Sequence, residues 1–268
     1  MDRHVLYEAA VQGAEYDLDM FERIYRRHHG RTFRDLREDF CGTAAIAAAW
    51  VIRRAGNRAW GVDIDRVTLD WARAHRLPAL GKAARRLTLV RRDVRAPGGP
   101  RAELVCAMNF SYWVFKTRRE LVRYFTAARH ALRPGGLLVV NAFGGGGTME
   151  KLVETRRIAA SNSAEGRPVP AFTYVWEHLS FNPIDHHLRC AIHFRFRDGR
   201  VMRRAFTYDW RMWTLPEVQD AMRDAGFRAT EVLVEGWDDA RNRPDDLYRL
   251  RRRFENQTSW LALVVGVR

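Results

Sequence analysis

The stretch that most restricts the fold is Leu36-Arg37-Glu38-Asp39-Phe40-Cys41-Gly42-Thr43-Ala44, taken together with Trp60-Gly61-Val62-Asp63 downstream. A short segment ends in an acidic pair and runs into a tight turn, Cys41-Gly42-Thr43. An Ala-rich helix over Ala44 to Ala55 is then expected, with Gly56 as its left-handed stop. A second strand follows and ends on an acid, Asp63, 21 residues after Gly42. Physically this is the layout of a nucleoside site in a doubly wound α/β sheet. Backbone N–H groups approach the ligand at the turn, and the acid takes two ribose hydroxyls.

The intervals that follow keep this layout. Arg86-Leu87-Thr88-Leu89-Val90-Arg91-Arg92-Asp93 reads as a third strand ending in an acid. Ala102 to Asn109 reads as a fourth, closing on Asn109-Phe110-Ser111-Tyr112. Asp65 fills the cap position before a helix over Arg66 to Arg76. Thr117-Arg118-Arg119-Glu120 is a capping box that opens an amphipathic helix running to Leu132. Arg133-Pro134-Gly135-Gly136 stops that helix, and Leu137-Leu138-Val139-Val140 is an all-apolar strand of the buried parallel kind.

Beyond Gly144-Gly145-Gly146-Gly147, a polar stretch to Pro170 shows little periodicity except for a short helix near Met149 to Ile158. Four glycines hold no fixed path by themselves, so a mobile connector is expected here. Phe172 to Phe181, Leu188 to Phe196 and Val201 to Trp210 alternate at period two, with turn residues at Asn182-Pro183-Ile184-Asp185 and Asp198-Gly199-Arg200. They predict a three-stranded antiparallel sheet. Thr214-Leu215-Pro216-Glu217 then caps a helix to Ala225, and Arg228 to Glu235 and Ser259 to Val267 supply the last two strands. At the other end, Leu18, Phe21, Ile24 and Tyr25 form the apolar face of an early helix.

Residues 31 to 143 resemble the class I S-adenosylmethionine-dependent methyltransferases. The first motif of that family usually reads acid-x-Gly-x-Gly-x-Gly; the register here is Glu38-x-Phe40-x-Gly42-x-Ala44, which keeps only the central glycine. The helix-Pro-Gly-Gly-strand signature at Arg133 to Gly136 is also common at this point in the family. The resemblance implies an α/β fold: a Rossmann-like, doubly wound, mixed seven-stranded sheet, here with an inserted three-stranded antiparallel sheet. On that reading residues 1–30 form an N-terminal helical cap. Residues 31–268 form the methyltransferase domain, with an insertion over 144–213 made of the connector and an antiparallel lid.

The resemblance also implies S-adenosyl-L-methionine as the cofactor. Gly42 lets the backbone approach its methionine part, and Glu38 is placed to bind the amino group. Asp63, with Ile64 beside it, takes the ribose, while Asp93 and Val94 meet the adenine and Asn109 lies at the end of the fourth strand. Many relatives have an N-terminal helix with a Tyr-Asp pair that closes over the cofactor; Tyr16-Asp17 either plays that part or simply packs and caps.

Composition narrows the choice of partner. A formal net charge of +14 invites a nucleic-acid reading, yet only three of the 46 basic residues, Lys82, Lys116 and Lys151, are lysines. Such a skew to Arg reflects codon usage in a GC-rich genome and requires no phosphate-tracking groove. The dense runs, Arg26-Arg27, Arg203-Arg204 and Arg249 with Arg251-Arg252-Arg253, read as solvated faces. No apolar run is long enough to span a bilayer and no hydrophobic signal core follows Met1, so a soluble, cytoplasmic protein is expected. Cys41, Cys106 and Cys190 lack metal-ligand spacing and read as reduced, packed thiols. His186-His187 has no third ligand, so no metal is expected.

Methyl transfer from a sulfonium needs positioning and water exclusion more than a fixed triad. The predicted insertion sheet is the candidate substrate lid. Tyr174, Trp176 and His178 share one face with Phe206, Tyr208 and Trp210, while Glu177, His193, Asp209 and Arg211 occupy the other. Candidate general bases are His178, His193 and Tyr208, and candidate substrate contacts are Tyr112, Trp176, Trp210 and Arg211. Enzymes that methylate nucleobases or protein amides often carry Asn-Pro-Pro-Tyr where this chain has Asn109-Phe110-Ser111-Tyr112. The missing prolines favour a small-molecule acceptor, methylated on O or N. An RNA or protein-amide methyltransferase is the alternative; a binding protein that has lost transfer is a third reading, supported by Phe40 and Ala44 in glycine positions.

Overall fold

The computed structural model describes residues 1–238 and 243–268. In chain order its elements are helices α1 (Arg3–Val11) and α2 (Ala14–His29), strand β1 (Asp35–Asp39), α3 (Ala45–Arg53), β2 (Arg58–Asp63), α4 (Arg66–Trp71), α5 (Leu77–Ala79), β3 (Leu87–Arg91), β4 (Ala102–Ala107), α6 (Arg118–Ala131) and β5 (Leu132–Gly144). There follow β6 (Leu152–Ile158), β7 (Ser161–Asn162), β8 (Pro168–Val169), β9 (Phe172–Asn182), β10 (His187–Phe196), β11 (Val201–Arg211), α7 (Leu215–Asp224), β12 (Ala229–Asp238), β13 (Arg243–Leu250) and β14 (Trp260–Val267). Between α4 and α5 the chain passes through a π-helical turn, Ala72–Arg76.

The main sheet has the order β13-β12-β14-β5-β4-β1-β2-β3. β1 through β5 pair in parallel, and β14 runs antiparallel to β5. Strand order reverses between β1 and β4, so the crevice at their carboxyl ends is where an open α/β sheet takes a ligand. Parallel central strands are normally continuous apolar runs. β4 and β5 follow that rule, but β1 is Asp-Leu-Arg-Glu-Asp with every residue buried. Its charges are held one by one. Asp35 receives Arg58 at 2.9 Å and Arg133 at 2.6 Å. Arg37 reaches Asp39 at 2.6 Å, and Glu38 accepts the backbone N–H of Ala47 at 2.8 Å.

Helices cover both faces. On one, α2 buries Leu18, Phe21, Ile24 and Tyr25 in the same core as Leu36, Trp50, Leu104 and Leu137. On the other, α6 and α7 pack Leu121, Tyr124, Phe125, Val218 and Met222 over Val105, Leu138 and Val264. Both helices start with complete capping boxes, at Thr117 with Glu120 and at Thr214 with Glu217. A third core joins α1 to the insertion through Val5, Leu6, Ala10, Phe172, Ile192 and Phe194.

Five expectations need correction. The main sheet has eight strands, because β13 adds an edge beside β12; its Arg-Pro-Asp-Asp-Leu-Tyr-Arg-Leu sequence has no period-two pattern, and its proline is tolerated at an edge. The insertion sheet has four strands, in the order β11-β10-β9-β6. The segment expected as a helix near Met149 to Ile158 is mostly β6, whose Val153, Thr155 and Ile158 suit a strand, and only Gly146–Met149 turns helically. The glycine run is packed in place: a Cβ on Gly144 would lie 2.2 Å from the Trp260 ring and one on Gly145 2.5 Å from the Thr258 carbonyl. Finally, Arg54 is extended (φ −151°) after α3, so the stop forms before Gly56 and without a left-handed residue. No helix among the described residues is long and apolar enough to cross a membrane.

Candidate active site

The turn after β1 is built from left-handed backbone. Phe40 (φ 56°), Gly42 (φ 53°) and Ala44 (φ 58°) all adopt it, so alternate residues keep the conformation that glycine normally supplies. A left-handed non-glycine residue costs about 1–2 kcal/mol, and such strain is held at sites where the surroundings over-determine it. The surroundings here are visible. Asp63, at the end of β2, accepts the Gly42 N–H at 2.8 Å through one oxygen and the Asp65 N–H at 2.9 Å through the other. Gly61 makes room on β2, since a Cβ there would approach Cys41 Sγ to 2.9 Å. At the end of β4, Asn109 (φ 55°) and Phe110 (φ 57°) are left-handed as well, and the Phe110 N–H donates to Asn141 Oδ1 at 2.9 Å. Four of the six left-handed non-glycine residues among those described therefore ring this crevice.

The Phe40 ring points away from the crevice, 5.8 Å from Phe115 and 5.4 Å from Tyr124, and is half-buried. Phe40→Gly loses about 1.5–3 kcal/mol of apolar burial at most and regains about 1–2 kcal/mol of left-handed strain. The two terms nearly offset, and a net loss of no more than about 2 kcal/mol is expected in urea unfolding. Binding at the turn should change less than threefold; a tenfold loss would place the ring in the ligand site.

Electrostatics mark the floor of the crevice. Burial pushes the Glu38 carboxyl up to about 8, reinforced by the charges of Asp17 and Asp63 and opposed by the Ala47 N–H and Arg76. Burial alone raises Asp17, on α2, to about 7. Asp17 and Glu38 thus reach each other across α2 and β1, and Asp17 lies within electrostatic reach of Cys106 on β4. Tyr16, next to Asp17, lies 6.5 Å from Tyr248 of β13 (ring centroids).

Other expected positions divide into two groups. Val94 is buried and Ile64 exposed, while Asp93 is gripped by Arg95 through backbone and guanidinium (2.8 Å each), which holds its carboxyl below the usual range. Tyr112 is wholly buried against Trp113 and Phe125. His193 faces the outer side of the insertion sheet, where Glu177 takes its Nε2 at 2.8 Å and the Arg204 N–H donates to its Nδ1 at 3.1 Å across a bulge. Arg211 is bound to the Lys116 carbonyl and Glu217 and stacks on Trp213 at 3.8 Å. Asp93, Tyr112, His193 and Arg211 are thus engaged by neighbouring residues.

The inner face of the insertion differs. Trp176, Tyr208 and Trp210 lie within 4.3–6.1 Å of one another, and Trp210 reaches Phe110 at 6.1 Å and Trp113 at 5.9 Å. The aromatic face therefore meets the carboxyl end of β4. His178 is 5% exposed between Phe143 and Trp176, and burial lowers its pKa. α1 closes the opposite wall. Tyr7 hydrogen-bonds Tyr208; burial drives Tyr7 up to about 12 and raises Tyr174 and Tyr208 as well.

Three residues with no sequence signal fasten this wall. Glu8 accepts from Thr43 Oγ1 in the turn and from Arg76, which also pairs with Glu165 and reaches the Thr43 carbonyl at 3.4 Å. Arg76 comes from the π-helical turn and is 2% exposed. Glu8 and Tyr7 sit on a helix too short to show a pattern, and a change of helical pitch leaves no mark in sequence.

No protein-family model matches the sequence, and no curated protein matches it. Solved structures do. DesVI from Streptomyces venezuelae superposes with a TM-score of 0.68 at 19% identity, over 99% of this chain and 96% of that one. A S-adenosylmethionine-dependent methyltransferase from Clostridium acetobutylicum gives 0.67 at 15% identity, over 97% and 96%. S-adenosylmethionine-bound CalS10, an amino pentose methyltransferase of calicheamicin biosynthesis from Micromonospora echinaspora, gives 0.65 at 18%, over 98% and 95%. The α/β fold with its large mixed sheet is that of S-adenosylmethionine-dependent methyltransferases.

Proposed function

We propose that this chain is a S-adenosylmethionine-dependent methyltransferase acting on an O or N atom of a small molecule held where the aromatic face of the insertion sheet meets the carboxyl end of β4. The observation that carries this is the left-handed turn 40–44 pinned by Asp63, the nucleoside-site geometry maintained without two of its glycines. The donor set fits the cofactor. Asp63 keeps acceptor capacity for two ribose hydroxyls. Asp17 and Glu38, which make no ion pair among the described residues, form an acidic floor that suits an ammonium and a sulfonium. Asn109 and Phe110 lie at the end of β4, between that floor and the aromatic cleft.

When bound, the cofactor supplies the activated methyl group. The chain's own residues position and enclose. Glu8 and Arg76 hold α1 on the turn, and Tyr7 with Tyr208 holds it on the insertion, so water is kept from the cleft. The phenols stay protonated at neutral pH and donate hydrogen bonds without removing a proton. That favours an amine, which is nucleophilic without prior deprotonation, and Trp176, Tyr208 and Trp210 offer π faces to the ammonium it becomes.

The test is transfer from methyl-labelled cofactor into total RNA and, separately, into a small-molecule extract. Saturable labelling of metabolites, with amines foremost, is expected. Labelling of one RNA species with none in metabolites would overturn the reading.

A further inference from the structure

On the face of the sheet opposite Glu38, two guanidinium groups converge beneath an exposed loop. Arg37, on β1, is 1% exposed; its Nε is engaged by Asp39 at 2.6 Å, but its Nη1 is buried with no hydrogen-bond partner among the described residues. Arg92, just after β3, gives one Nη to the Pro97 carbonyl, while its buried Nε also has no partner. Both lie against Gly99. A Cβ on Gly99 would lie 3.6 Å from Arg37 Nη1 and 4.0 Å from both Nε and Nη1 of Arg92. Gly98 (φ 83°) and Gly99 (φ 101°) both lie in the glycine-favoured region, so the loop passes over the two cations without side chains in the way.

The charge balance is uneven. Asp39 compensates Arg37, and its second oxygen accepts from Tyr124 at 3.3 Å. No acidic side chain among the described residues pairs with Arg92; Asp93 and Glu120 are committed to Arg95. Two like charges with one counter-charge in a poorly solvated place attract an anion. Two guanidinium groups with unpartnered N–H donors beside one another match the forked geometry of an oxyanion better than that of a monatomic ion.

We infer that Arg37 and Arg92, under the Gly98-Gly99 loop, form a binding site for a small oxyanion, either a phosphate or the carboxylate of a metabolite. The site is separate from the crevice and does not depend on methyl transfer. Its occupant bridges β1 and β3 and fastens the 97–100 loop to the sheet. Through Arg37 it bears on Asp39, one residue before the turn.

The experiment is calorimetric titration of the full chain with inorganic phosphate and, in a second arm, acetate, with S-adenosylhomocysteine present throughout to keep the crevice out of play. Saturable one-to-one binding is expected, weakened at least tenfold in Arg92→Gln and unchanged in the remote control Arg252→Gln. Arg92 is chosen because losing Arg37 would strand Asp39 and could unfold the chain. Binding of phosphate alone assigns a phosphate site, and binding of both assigns a general oxyanion site. Absence of saturable binding, or equal binding in Arg92→Gln, overturns the inference.

Discussion

Replacing Glu38 by Gln should flatten the pH dependence of both stability and cofactor binding. The folded carboxyl sits at about 8 against an ordinary value of 4.5. The folded state therefore holds a proton that the unfolded state releases, and stability present below about pH 4.5 is lost as pH rises toward 8. The slope for one such group is about 1.4 kcal/mol per pH unit. Between pH 5.5 and 7.5 the ligand-free protein should thus lose about 2–3 kcal/mol through Glu38. Asp17, raised to about 7, adds in the same direction up to that pH. Glutamine keeps an acceptor for the Ala47 N–H but has no proton to lose, so denaturant melts of Glu38→Gln should show only the Asp17 share.

Binding runs the opposite way. A cationic ligand needs the carboxylate, so wild-type affinity should rise from pH 6 to 8. Glu38→Gln should lose that rise and bind at pH 8 roughly 10- to 150-fold more weakly, the loss of about 1.5–3 kcal/mol typical of a charged hydrogen bond. Identical pH slopes in the two proteins would remove Glu38 from the site.

Asp63→Ala should weaken cofactor binding by a similar 1.5–3 kcal/mol, but for two separable reasons. One is the lost ribose acceptor. The other is release of the turn, because Asp63 itself holds the Gly42 and Asp65 N–H groups. Asp63→Asn retains one acceptor oxygen for the turn and should recover part of the affinity. Both variants should remain folded, as Asp63 lies at a strand end outside the three cores. Unchanged calorimetric affinity in Asp63→Ala would show that the ligand sits elsewhere.

What could be read from sequence follows from which interactions are local. The strand–turn–helix at Glu38 to Ala44 and the acid at Asp63 are contiguous signals, and both capping boxes are written within four residues. β9 to β11 were legible because their faces alternate. β6 and β13 were not: the first is largely exposed and polar, the second an edge strand held by β12. Residue type also misled where backbone mattered. Phe40 and Ala44 look like lost glycines, yet their φ angles show the turn intact. Among aromatic and basic candidates, pattern could assign a face but not what covers it. Trp176, Tyr208 and Trp210 meet the β4 end, whereas His193 and Arg211 are spent on the sheet's own bulge and on the α7 cap. Glu8 and Arg76 interact across 68 residues of chain, a pairing that no local pattern encodes.

The most direct measurement is a crystal structure of the chain with S-adenosylhomocysteine. The account predicts the ribose hydroxyls on Asp63, the amino group toward Glu38 and Asp17, and the sulfur facing the cleft lined by Trp176, Tyr208 and Trp210. A cofactor bound outside the 40–44 turn, or a sulfur turned away from those rings, would contradict it.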